Sequence, residues 1–220
     1  MSQEPWLEVK VWGDYACFTR PEMKAERVSY PVMTPSAARG ILEAIFWKPE
    51  FQWQVREIHV LKPIRFFSIL RNEVNSKATT HASVGPYFAD EDRAQRHTMA
   101  LKDVAYLIRA DVALKPHASG EHPAKYHDQF RRRVTRGQCY YTPYLGCREF
   151  SACFGPPGPD DLPIRQTEDL GLMLFDLDYE SSKDRNIPRF FQARLESGVL
   201  RVPPELYGRK EVAHAAGQTR

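Results

Sequence analysis

His122, Lys125, Tyr126 and His127 fall in one short run, HPAKYHDQFRRRVTRG, which continues into Arg131, Arg132, Arg133 and Arg136. Imidazoles exchange protons near neutral pH, an ammonium group steadies a developing negative charge, and guanidiniums bind phosphate oxygens in pairs. Such a set suits a polyanion, with RNA the best match, and a phosphate that could be cleaved where the lysine sits. Presenting these groups together requires a helix. Pro123 suits its first position, where a missing N–H costs nothing, and Gly137 suits the position just past its end. At about 100° per residue, Tyr126, Phe130 and Val134 share one stripe, while Lys125, Gln129, Arg132 and Arg136 share another. One stripe can meet a core and the other a phosphate backbone. Lys125 lies in the first turn, where unpaired N–H groups and the positive end of the helix dipole favour anions. The segment that follows, QCYYTPYLGCREF, reads as an aromatic strand.

The chain has 220 residues, 42% of them hydrophobic, enough for one large domain, or one domain with an extension, built on an ordinary core. Its net charge is only +3, with a pI near 8.6, so attraction for a polyanion must come from local clustering. Cys17, Cys139, Cys147 and Cys153 lack the spacing of a metal knuckle and are expected to be free thiols of a cytoplasmic protein. The polar N-terminus lacks a signal core, and no stretch approaches the roughly 20 apolar residues of a membrane span. A soluble protein with no membrane association is therefore expected. His117, His122 and His127 recur every five residues, a poor fit to one helical face, and no metal site or cofactor is expected.

Leu7, Val9 and Val11 alternate with Glu8, Lys10 and Trp12 in the two-residue period of a half-buried strand. A polar loop around residues 22–29 precedes a helix over SAARGILEAIFW, with Thr34 as its N-cap. FQWQVREIHVLKPI reads as the next strand, stopping at Pro63. Residues 66–100 suggest a hairpin or an inserted mobile loop. From Val104 to Leu114 alternate residues are apolar or small, a further strand. The order strand, helix, strand, uncertain segment, strand, helix, strand predicts an α+β fold close to the split unit of ferredoxin-like domains, which RNA-recognition domains share. This domain spans residues 1–154. Residues 155–165 read as a proline-rich linker in which Asp160 and Asp161 are solvated. A β-strand extension follows over 166–207, with Ser197 and Gly198 in a hairpin turn, and 208–220 reads as a disordered tail.

The strings VWGDYACFTRPE, SYPVMTPSAARGILEAIFWKP, ALKDVAYLI, HPAKYHDQFRRRVTRGQCYYTPYLGCREF and LGLMLFDLDY, taken in order, resemble the CRISPR-associated Cas-five family, d subtype, of the subtype I-C system. The resemblance spans nearly the whole chain. It implies a RAMP-superfamily protein with an N-terminal ferredoxin-like, RRM-like domain and a C-terminal β-rich extension. It also implies metal-independent cleavage of CRISPR precursor RNA at the base of the repeat hairpin, in bacterial antiviral defence. After cutting, such a protein stays on the 5′ handle of the crRNA with the other subunits of the type I-C surveillance complex. A non-catalytic subunit that only holds the 5′ handle is the alternative, and duplex DNA is a further candidate ligand for the same basic face.

Metal-free RNA cleavage uses the neighbouring 2′-OH as nucleophile, so it calls for a base there, a cation at phosphorus and an acid at the 5′-oxygen. The resemblance places the catalytic set at Phe46, Lys125 and Tyr126. Two positions depart from the family pattern: Phe46 stands where a tyrosine is usual, and Tyr126 where some members carry histidine. Phe46 has no hydroxyl, so proton transfer falls to Tyr126, His127 or His122, with Lys125 stabilising charge; Lys125 and His127 are favoured. Each residue also has a plainer reading. Tyr126 and His127 could belong to the core, Phe46 could be packing or a base-stacking platform, and Trp47 could be core. Trp47 and Lys48 could equally supply stacking and phosphate contact. The four arginines could be a solvated face, although the absence of interleaved glutamates favours phosphate binding.

Overall fold

A computed structural model describes residues 6–23, 25–74, 92–178 and 187–208. The first strand, β1 (Leu7–Ala16), buries Leu7, Val9 and Val11 as its alternation requires. A two-residue strand, β2 (Arg27–Val28), crosses the polar loop. Helix α1 (Pro35–Ile45) starts where Thr34 Oγ1 accepts the Ala37 N–H at 3.3 Å, and it buries Ala38, Ile41, Leu42 and Ile45. The chain continues through β3 (Phe51–Val60), β4 (Phe66–Val74) and the 22-residue β5 (Arg93–Leu114). Helix α2 (Ala124–Arg136) buries Tyr126, His127, Phe130 and Val134 and ends at Gly137, whose φ of 63° only glycine adopts without strain. Short strands β6 (Cys153–Gly155), β7 (Glu168–Asp178), β8 (Ile187–Glu196) and β9 (Val199–Arg201) complete the order.

One sheet, antiparallel apart from β2, runs β6-β1-β5-β3-β9-β8-β7, with β4 paired antiparallel and β2 parallel to β5. The register sets Val9 opposite Ile108 and Val55 opposite Ala110, so one face carries the apolar side chains on which α1 and α2 pack. The architecture is α+β, with few helices on an extended antiparallel sheet. On the opposite face a chain of charges crosses four strands. Glu8 accepts from Arg109 at 2.7 Å, and Arg109 lies 3.3 Å from Glu57. Glu57 in turn holds Arg201 at 2.6 Å and His59 at 2.8 Å.

Three expectations are corrected. QCYYTPYLGCREF forms no strand: among residues 138–150 only Tyr144 bridges, to Ser151. Pro143 cannot donate to a ladder, and Gly146 takes φ 86° where an added Cβ would lie 2.1 Å from the Cys17 carbonyl oxygen, so the chain loops tightly against β1. Asp161 is not solvated: Lys10 Nζ donates to it at 2.5 Å and the Gly158 N–H at 2.7 Å. The segment read as a linker lies against the sheet, its Ile164 N–H bonded to the Val60 carbonyl at 2.8 Å. The uncertain region resolves in part, since β4 pairs with β5 along its whole length; residues 75–91 and 209–220 lie outside the described residues. Ser197 and Gly198 do turn β8 into β9.

Candidate nucleic-acid site

A 3₁₀ turn at Pro116–Ala118 leads into α2 and leaves Glu121 just ahead of the helix. Lys125 Nζ donates to Glu121 Oε2 at 2.9 Å, and the Tyr126 hydroxyl donates to the same oxygen. Two donors from successive residues thus meet on one anionic atom. Burial of the phenol, reinforced by the Glu121 carboxylate, pushes Tyr126 up to about 12. The Tyr126 hydroxyl and then Lys125 hold the Glu121 carboxyl below the usual carboxylate range. Exposed His122 accepts the Ala124 N–H at Nδ1, at 3.2 Å. A neutral ring arranged this way carries its proton on Nε2 and presents it as a donor.

Behind this corner the aromatic core is continuous. The Tyr126 ring lies 5.0 Å from Phe51 and 6.5 Å from Phe46, whose carbonyl accepts from Trp53 Nε1 at 2.9 Å. Phe46 is 0% exposed, so no base can stack on it; its ring is part of the core. His127, the favoured proton carrier, turns inward: it is 3% exposed, with Nε2 3.3 Å from Asp111 Oδ1 on β5. That placement buries the imidazole between α2 and β5, away from an RNA strand on the surface, so it does not support the catalytic assignment.

The four arginines divide. Arg131 is half exposed and 3.6 Å from Asp128, and Arg132 and Arg136 are exposed. Arg133, expected to face phosphate, instead caps α1: its Nη1 donates to the Ile45 carbonyl at 3.0 Å, with the guanidinium 5.4 Å from the Phe46 ring and 4.3 Å from the Tyr140 ring. Trp47 and Lys48 follow at the surface, Trp47 exposed and Lys48 partly so. The structure therefore brings His122, Lys125 and Tyr126 together with Glu121, and sets Trp47 and Lys48 beside Arg133 and Tyr140. Among the described residues no three His, Cys, Asp or Glu side chains are placed to hold a metal ion, and no helix is long and apolar enough to cross a membrane.

A sequence model of the family described as CRISPR-associated protein (Cas_Cas5), the Cas5d family, matches residues 6–203. The chain belongs to this family. Two relatives named CRISPR pre-crRNA endoribonuclease Cas5d bear on it within that family. One, from Thermus thermophilus, is 49% identical over 230 residues, covering 96% of this chain and 98% of its own. The other, from Mannheimia succiniciproducens, is 47% identical over 216 residues, covering 90% and 95%. A solved structure of a CRISPR-associated protein superposes with a TM-score of 0.66 at 21% identity, covering 93% of this chain and 96% of that one, a likeness of fold. Within this Cas5d-family chain, sequence reasoning missed Glu121, Asp111 and Tyr140. Glu121 had a signal, since a glutamate four residues before a lysine is a favoured helical pair. Asp111 had none, because its meeting with His127 depends on how α2 docks on β5.

Proposed function

We propose that the chain is a metal-independent endoribonuclease that cuts CRISPR precursor RNA at the base of the repeat hairpin. It then stays bound to the 5′ handle as a subunit of a type I-C surveillance complex. The observation that carries the chemistry is the convergence of Lys125 Nζ and the Tyr126 hydroxyl on one Glu121 oxygen. That oxygen marks where a phosphate oxygen of the scissile group is received once RNA displaces the partly exposed Glu121 side chain. The 2′-oxygen attacks phosphorus, the bond to the 5′-oxygen breaks, and the proton lost by the 2′-OH is balanced by one gained by the leaving 5′-oxygen. The products are a 2′,3′-cyclic phosphate and a 5′-hydroxyl. Lys125 steadies the charge of the phosphorane, Tyr126 donates to it, and His122 Nε2–H hydrogen-bonds the leaving 5′-oxygen, which takes its proton from solvent water while the 2′-OH gives one up to solvent. Arg131, Arg132, Arg136 and Lys48 hold the flanking phosphates.

In the same reading, residues 1–154 form a ferredoxin-like, RRM-like RAMP unit. Strands β6-β1-β5-β3 with α1 and α2 give the order expected of a βαββαβ arrangement. Residues 166–207 extend that sheet through β9. A second reading, a non-catalytic subunit that holds the 5′ handle and also contacts duplex DNA, is favoured by one observation: Phe46 brings no hydroxyl to the family's tyrosine position, and it is buried. Incubation with cognate repeat RNA in EDTA separates the two. Cutting at the hairpin base, abolished in Lys125→Ala with binding retained, is expected. Intact RNA with the unaltered protein would leave only the holding role.

A further inference from the structure

We propose that the surface hollow of about 460 Å³ bounded by Glu43, Trp47, Lys48, Pro49, Tyr140 and Tyr141 receives one unpaired nucleobase of bound RNA. The proposal rests on the reading of RNA as the ligand and adds a site at which one base is held. Trp47, Tyr140 and Tyr141 are 48%, 54% and 53% exposed, three large aromatic rings left half in water around one hollow. The platform is held in place before anything binds. The Tyr140 N–H bonds to the Ala44 carbonyl at 2.8 Å, and its ring lies on the Arg133 guanidinium, itself fixed to the end of α1. A fixed ring loses little freedom on binding, and every base offers a π-face to it.

The polar groups narrow the occupant further. Lys48 supplies a cation for the adjoining phosphate. Glu43 accepts from Arg39 at Oε1, 2.8 Å, and its side chain borders the hollow. A carboxylate there favours a base that offers an exocyclic amino group, so cytosine is held better than uracil, a ring of the same size with a keto oxygen in that place. Glu43 and Tyr141 also line a second hollow of about 400 Å³ along α1, so the strand has room to continue. The buried Phe46 ring lies 6.5 Å from the Tyr126 ring and 5.4 Å from the Arg133 guanidinium, which in turn lies on Tyr140, and so links the Lys125 corner to the hollow.

The test is a fluorescence titration of the full chain, in EDTA at low salt, with short oligocytidylate and oligouridylate strands. Saturable tryptophan quenching is expected, tighter for oligocytidylate. The signal disappears in Trp47→Phe, binding weakens about tenfold in Tyr141→Leu, and Glu43→Gln removes the preference for cytosine. Tyr141→Leu avoids unseating Arg133, and a melting curve matching the unaltered chain confirms its fold. Unchanged affinity in Tyr141→Leu, or no movement of Trp47 emission, overturns the proposal. In the unaltered chain, absence of repeat cleavage with quenching intact sinks the nuclease reading alone, and cleavage without quenching sinks the base hollow alone.

Discussion

At the scale of single residues, the proposed function makes Glu121 a competitor at the corner of α2. Its carboxylate binds the Lys125 ammonium and the Tyr126 hydroxyl, and under the proposed function an incoming phosphate takes its place. Glu121→Gln keeps the size and removes the charge. The negative charge is one reason the Tyr126 phenol ionises near 12, so the variant is expected to bring that value down toward the ordinary tyrosine value of about 10, read by ultraviolet difference titration. RNA affinity is expected to rise about two- to fivefold at low salt, as when an exposed ion pair no longer competes. An unchanged affinity would mean that the carboxylate does not occupy the phosphate position.

At the scale of elements, α2 has two faces with separate tasks, and its arginines separate accordingly. Arg132→Ala and Arg136→Ala are each expected to reduce the slope of log affinity against log salt by about 0.7, the contribution of one phosphate contact on a single strand. Arg133→Ala is expected to leave that slope unchanged and to lower the melting temperature by about 2–4 °C, because α1 loses a cap and two aromatic faces lose their cation. The helix itself was legible from Pro123, Gly137 and the Tyr126, Phe130, Val134 stripe, as β1, β3 and much of β5 were from their alternation. The error about Arg133 came from weighing composition above period. It stands seven residues after Tyr126, two turns on and on the same buried face, just as His127 stands three before Phe130. The loop after Gly137 was hidden for another reason: its aromatic residues have strand composition, but what shapes it is contact with the Cys17 carbonyl across the fold, which no local pattern records.

At the scale of the whole molecule, Glu57 joins the N-terminal strands to the C-terminal ones, since it binds Arg109 on β5 and Arg201 on β9. Burial works to raise its pKa, but the His59, Arg201 and Arg109 interactions outweigh burial and hold it below the usual glutamate value. A carboxyl depressed on folding contributes stability that is present above its unfolded value of about 4.3 and is lost as pH falls through the depressed one. Glu57→Gln is therefore expected to flatten the acid limb of a urea-unfolding series and to cost about 1–3 kcal/mol at neutral pH. An acid limb as steep as before would refute that role. The pairing that Glu57 secures also dictates a sequence of events in biosynthesis. Strand β3 has β5 on one side and β9 on the other, and β9 follows all the other described strands in chain order. Until it emerges from the ribosome, the β3 edge is an unpaired ladder of N–H and C=O groups, open to pairing with another chain. Three residues, Val199–Arg201, therefore close an edge that stays open from the synthesis of β3 through that of β8.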